Sequence, residues 1–156
     1  MEGVLVGFAL GGNAPTSEHW VRSAMMSLAH HLDQPRFSTL HTTAPLGPGT
    51  APYQNAVMVG IDRSCRAPRE WLGVLQALEL AAGRNRVNEV TWGDRPLDID
   101  LLFVGDAIVV TADLIVPHPQ MHRRSFVMDP LLELEISWTH PVLRKDVRSL
   151  AAGLPA

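Results

Sequence analysis

Asp98 and Asp100 stand two residues apart in Trp92-Gly93-Asp94-Arg95-Pro96-Leu97-Asp98-Ile99-Asp100-Leu101-Leu102-Phe103, a stretch that runs from a polar turn into an apolar strand. Side chains alternate across a strand, so positions i and i+2 share one face. Two carboxylates therefore project side by side where the chain enters the strand, with Arg95 just ahead of them. Adjacent carboxylates repel unless a positive charge lies between them. Mg²⁺ binds through one or two carboxylates and completes its shell with phosphate and water, and the planar fork of an arginine suits the same phosphate. The residues equally fit a solvated acidic strand end, because a bare Asp-x-Asp pair is a motif of low specificity.

Hydrophobic periodicity supplies the elements that hold these residues. Val4 to Leu10 is a continuous apolar run closed by Gly11-Gly12-Asn13, a central strand and its turn. A first helix follows, with Thr16 or Ser17 as cap, Glu18 in its first turn, and a stripe of Trp20, Val21, Ala24, Met25, Leu28 and Leu32. Phe37 to Thr43 and Asn55 to Asp62 read as strands on either side of the Pro- and Gly-rich loop 44–52. The second helix opens at Pro68 and stops at Gly83, the usual asymmetry of helix ends, and buries Trp71, Val74, Leu75, Leu78 and Ala82. An irregular segment from Arg84 to Pro96 precedes the strand Asp98 to Val104. Gly105-Asp106 reads as a hairpin turn into Ile108-Val109-Val110. Arg124 to Leu134 reads as a last short helix, and Ala151 to Ala156 as a frayed end. The order β-α-β-β-α-β plus a C-terminal extension predicts an α+β, ferredoxin-like sandwich in a single domain, residues 1–156.

Composition narrows the class. The 156 residues are 46% hydrophobic and 19% charged, which describes a globular chain with enough length for a core. A net charge of −3 argues against a general nucleic-acid binder. Cys65 is the only cysteine, which excludes an intramolecular disulfide and fits a reducing cytoplasm. The first residues lack a basic segment, and their apolar run is too short for a signal peptide or a membrane span. A cytoplasmic monomer with no nucleic-acid or membrane partner is expected.

Five motifs in order carry a resemblance: Gly11-Gly12-Asn13; Thr43-Ala44-Pro45-Leu46-Gly47-Pro48 ahead of Tyr53-Gln54-Asn55-Ala56-Val57; Glu79 with Gly83-Arg84; Trp92 to Leu102; and Val116-Pro117-His118-Pro119-Gln120-Met121 with Arg124-Ser125-Phe126-Val127. From about Val4 to Leu134 the chain resembles the 6-hydroxymethyl-7,8-dihydropterin pyrophosphokinases. The resemblance implies transfer of a pyrophosphoryl group from ATP to the pterin hydroxymethyl group, with release of AMP, in folate biosynthesis. It implies two Mg²⁺ ions on Asp98 and Asp100, and Arg84 and Arg95 as catalytic arginines. ATP as co-substrate would meet Glu79, Arg84, Arg95, Ile99, His118 and Arg124. The flat pterin would stack between Tyr53 and Phe126, with its polar edge on Asn55 and on Thr43, Ala44 and Leu46. Trp92 on a mobile catalytic loop and Asp98 complete that site.

Some positions depart from the family pattern. Gly12 replaces the usual serine, the loop 86–91 lacks lysine and contains Glu89, and Asp94 stands where a proline or small residue is common. Asp113 falls where a phosphate-binding arginine often lies, and a carboxylate near a triphosphate is repulsive unless screened. These differences leave open a paralogue acting on a related pterin. Two other readings also use these residues: a non-catalytic ferredoxin-like ligand-binding module, and a metal-dependent phosphodiester hydrolase.

Overall fold

The apolar run after Val4 forms β1 (Val4–Gly12), the middle of an antiparallel sheet. The structure is a computed structural model that describes residues 2–44, 52–83 and 95–155. Chain order continues with α1 (Ser17–Ala29), β2 (Asp33–Phe37), β3 (His41–Thr43), β4 (Tyr53–Asp62), α2 (Pro68–Ala81) and β5 (Asp98–Val104). β6 (Val109–Val110), β7 (Ile115–Val116), a 3-10 turn at Met121–Arg123, α3 (Ser125–Glu133) and α4 (Val147–Ala152) complete it. The main sheet runs β2-β4-β1-β5, with β3 also on β4, and every pairing is antiparallel. With helices covering it, this is an α+β architecture.

Alternation along the strands separates two cores. Val6, Phe8 and Leu10 of β1, Ala56 and Met58 of β4, and Ile99 and Leu101 of β5 face α1 and α2, where they meet Val21, Leu28, Trp71 and Leu75. Val57 and Val59 of β4 face the other way, onto Val127, Met128 and Leu131 of α3. A bulge between Gly7 and Phe8 inserts one residue of β5, so Leu102 and Phe103 both join that second core. Phe103 then stacks on Trp138 at 4.1 Å between ring centres, and the Trp138 indole N–H donates to Gly105 O at 2.9 Å. The C-terminal extension is thereby fastened to the sheet.

The predicted apolar stripes of both helices are the buried faces, with Trp20, Val74 and Leu78 partly covered at their margins. Gly83 takes a positive φ of 92° just past α2, a conformation open to glycine at no steric cost. Four expectations are corrected. The strand expected over Phe37 to Thr43 is two strands with a kink between them, because the Ser38 hydroxyl accepts the Val57 N–H and takes the place of a backbone partner (2.9 Å). Gly105-Asp106 does form a turn, but β6 pairs with β7 in a separate two-stranded sheet and not with β5. Residues 151–152 are helical, because Val147 and Leu150 bury α4 against the second core and Asp146 caps it through the Ser149 N–H (2.8 Å). Finally, Thr16 makes no side-chain cap of α1, and the Ser17 hydroxyl turns inward instead. No helix of the described residues is long and apolar enough to cross a membrane.

Candidate active site

Asp98 and Asp100 begin β5 and, as their spacing predicts, share the α3 face of the sheet. Register brings their neighbours into line. Gly11 pairs with Asp98 on one side and Asn55 on the other, Ala9 pairs with Asp100, and Thr43 pairs with Tyr53. Because cross-strand partners point to the same face, these residues form one surface over the end of the sheet. The start of α3 supplies the opposite wall through Phe126 and the preceding Arg124, whose guanidinium lies 5.5 Å from the Phe126 ring centre. The result is a cavity of about 270 Å³ lined by Thr43, Tyr53, Asn55, Arg95, Asp98, Asp100, Arg124 and Phe126, floored by Ala9 and Gly11. Glu133 at the far end of α3 accepts the Thr39 N–H at 2.9 Å and meets the His41 ring, tying the sheet edge to the helix that carries Phe126.

A second cavity, about 310 Å³, lies between α2, β5 and β7. Its lining includes Leu72, Leu75, Glu79, Ile99, His118 and Asp113, and again Asp98 and Asp100. The two carboxylates are therefore shared between an aromatic and amide-lined space and one that sets leucines beside further acidic side chains and His118. Glu79 is 4% exposed and accepts the Ile99 N–H at 2.9 Å, which holds α2 against the strand start. Ile99 itself points to the first core, opposite to the two aspartates.

His118 is anchored to the sheet by its N–H on Leu102 O at 2.8 Å. Its Nε2 lies 3.7 Å from Asp100 Oδ2, and Arg124 Nη1 is at the same distance from that oxygen. Burial, and then the charge of Arg124, lower its pKa to about 4 against the weaker upward pull of Asp98. The ring is neutral at pH 7. Its Nδ1 accepts the Gln120 N–H at 3.1 Å, which assigns the remaining proton to Nε2, on the side of Asp100. The expected repulsion from Asp113 is absorbed locally: Arg69 binds both its oxygens at 2.9 and 3.0 Å and holds its pKa at about 2.

Among the described residues, no group of three or more His, Cys, Asp or Glu side chains is assembled as a metal cage. A pair of carboxylates beside an open cavity is nonetheless the donor set Mg²⁺ uses when phosphate completes its shell. Of the sequence-predicted residues, Ala44 is exposed beyond β3 and does not line the first cavity. Leu46, Arg84 and Trp92 lie outside the described residues. Sequence reasoning passed over Ala9 and Gly11 as the floor, although their alternation with Phe8 and Leu10 on β1 is a period-2 signal. It also passed over Leu72 and Leu75, whose positions one helical turn apart give no sign that they edge a cavity.

Comparison with known proteins identifies the family. The chain is 35% identical over 150 residues to a 2-amino-4-hydroxy-6-hydroxymethyldihydropteridine pyrophosphokinase of Synechocystis sp., spanning 95% of this chain and 74% of that protein. It is 37% identical to the Bacillus subtilis protein of the same name, over 81% of this chain and 75% of that one. A folate synthesis bifunctional protein of Arabidopsis thaliana is 33% identical over 81% of this chain, which corresponds to 26% of that longer protein. Residues 7–136 match the model of the 7,8-dihydro-6-hydroxymethylpterin-pyrophosphokinase family, and the chain belongs to that family.

Proposed function

We propose that this protein transfers pyrophosphate from ATP to the hydroxymethyl group of 6-hydroxymethyl-7,8-dihydropterin and releases AMP, a step of folate biosynthesis. The observation that carries this reading is that two cavities of different character meet at one pair of carboxylates. A transfer between two substrates needs such a junction, since its rate depends on bringing the reacting atoms together in line.

The pterin occupies the first cavity. Tyr53 and Phe126 offer aromatic faces to the ring, and Asn55 offers a carbonyl acceptor and an amide donor to its polar edge. The backbone of Thr43 borders the same edge, where the family pattern would add Leu46. ATP occupies the second cavity. Leu72, Leu75 and Ile99 present apolar surface to the base, and Glu79 fixes the strand on which Ile99 sits. The neutral Nε2–H of His118 and the guanidinium of Arg124 reach toward phosphate oxygens near Asp100. The pterin hydroxyl oxygen bonds to the β-phosphorus while the bond from that phosphorus to the α-phosphate oxygen breaks, so charge grows on the departing AMP. Arg95, and Arg84 from the family pattern, would stabilise that charge.

Mg²⁺ fits the site, and Asp98 and Asp100 would hold it, two ions by the family pattern; bound there it supplies neutralisation of the triphosphate. Strand order and helix placement support the ferredoxin-like arrangement in one domain. A cytoplasmic monomer is the simplest setting. The test is incubation with ATP, Mg²⁺ and 6-hydroxymethyl-7,8-dihydropterin, with AMP and pterin diphosphate as readouts. AMP must appear only when the pterin is present. Release of phosphate or AMP at equal rates without it would identify a hydrolase instead.

A further inference from the structure

The turn that joins β1 to α1 grips the backbone of Arg95. Asn13 is 2% exposed and Ser17 is fully buried. The Asn13 side-chain Oδ1 accepts the Arg95 N–H at 2.8 Å, and the Asn13 N–H donates to the Arg95 carbonyl at 3.0 Å. One residue thus satisfies both backbone groups of another that is 82 positions away in sequence. The Ser17 hydroxyl accepts the Ala14 N–H at 2.9 Å, which aims its own proton at the same Arg95 carbonyl, 3.4 Å distant. Gly12 makes the close approach possible. A Cβ there would meet Pro96 O and Ser17 Oγ at 2.4 Å and Arg95 O at 2.8 Å.

Such an arrangement needs a reason. Burying an amide side chain is costly unless it is hydrogen-bonded, and a plain connector needs no two-point clasp. Arg95 lines the cavity with Asp98 and Asp100. The clasp acts on its backbone from below, three residues before β5 begins. A long flexible guanidinium can be aimed only if its Cα is held still, and a misplacement of about 1 Å at reacting groups costs on the order of 10²-fold in rate.

We propose that Asn13, seated by Gly12 and Ser17, is a positioning residue that fixes the backbone of Arg95 and so aims its guanidinium at the transferred group. The proposal rests on the reading of Arg95 as the arginine that stabilises the transition state. Asn13 touches no substrate and acts only through Arg95.

The experiment compares Asn13→Ala, Asn13→Asp, Arg95→Ala and the double variant Asn13→Ala/Arg95→Ala in pterin-dependent AMP formation. Asn13→Ala lowers kcat on the order of 10²-fold while pterin affinity stays within about twofold, the split expected for an interaction felt in the transition state. Asn13→Asp recovers much of the loss, because its carboxylate accepts the same Arg95 N–H. The double variant is no slower than Arg95→Ala alone. If Arg95→Ala is slow and a folded Asn13→Ala keeps the wild-type kcat, the clasp is overturned and the reading of Arg95 survives. If Arg95→Ala itself keeps full kcat, that reading falls and the clasp with it. Additive losses in the double variant place the effect of Asn13 elsewhere and also overturn the clasp. Should Asn13→Ala fail to fold, hydrogen exchange in the wild-type protein still decides. The Arg95 amide is protected if the clasp persists in solution, and its exchange at the rate of a free amide overturns the proposal.

Discussion

Replacing Gly11 by alanine would place a methyl group where Asn55 now lies. The added Cβ falls 2.9 Å from Asn55 Oδ1 and 2.9 Å from the Gln54 carbonyl oxygen, when ordinary contact starts at 3.4 Å. The carbonyl belongs to the β4 backbone paired with β1 and cannot swing away, so the Asn55 carboxamide gives ground by about half an ångström. Its two groups are the proposed partners of the pterin edge. A hydrogen bond contributes about 0.5–1.5 kcal/mol net, so misaligning two costs roughly 1–3 kcal/mol, equivalent to about 5- to 150-fold in pterin Kd. The nucleotide cavity is not lined by Gly11, so affinity for a non-hydrolysable ATP analogue is unchanged. Crowding in the strand also costs about 1–3 kcal/mol of stability, offset in part by the smaller backbone entropy of unfolded alanine, about 0.4–1 kcal/mol. Equilibrium fluorescence titration with the pterin, alongside a thermal melt, separates the two effects. A folded Gly11→Ala protein that binds the pterin like wild type, when Asn55→Leu does not, would refute the reasoning that this glycine makes room for the Asn55 amide.

Asp98→Ala and Asp100→Ala each abolish pterin-dependent AMP formation; substantial retained turnover would refute the metal assignment. Glu79→Ala strands the buried Ile99 N–H, at about 1–3 kcal/mol or roughly 2–12 °C in a thermal melt. An unchanged melt would show that the Ile99 N–H finds another partner. His122 and His140 both have pKa values held below their ordinary 6.5, chiefly by burial, and His140 Nδ1 accepts the N–H groups of Val142 and Leu143. The unfolded chain therefore binds protons first as pH drops below 6.5, and stability present above that pH is progressively lost. The double variant His122→Gln/His140→Gln has a shallower fall in melting temperature over this range, measured against wild type, and an identical slope would exclude these rings as the cause.

Much of the frame was legible because it depends on local pattern. The stripes of α1 and α2, the Pro68 and Gly83 ends of α2, and the apolar run of β1 each follow from periodicity or backbone preference. So does the shared face of Asp98 and Asp100, because the period of a strand is 2 wherever the strand lies. β2 was not legible. Asp-Gln-Pro-Arg-Phe has neither alternation nor β propensity, and it is a strand only because the edge of β4 offers partners and an edge tolerates Pro35. α4 was missed for a related reason. Its six residues are too few to be helical alone, and burial of Val147 and Leu150 supplies what propensity lacks.

The sequence by itself determined which residue types were available for phosphoryl chemistry, and on which side of their own strand or helix they would stand. Only the tertiary structure decided what each one faces. Pairing register put Gly11 between Asp98 and Asn55, the place of β5 at the end of the sheet order set the carboxylates between both cavities, and Gln120 fixed the tautomer of His118. Ser17 reads as a helix cap, yet its hydroxyl serves the backbone of Arg95. The reason is range: period and propensity act over a few residues, whereas a hydrogen bond or a missing Cβ takes its meaning from chain that returns dozens of residues later.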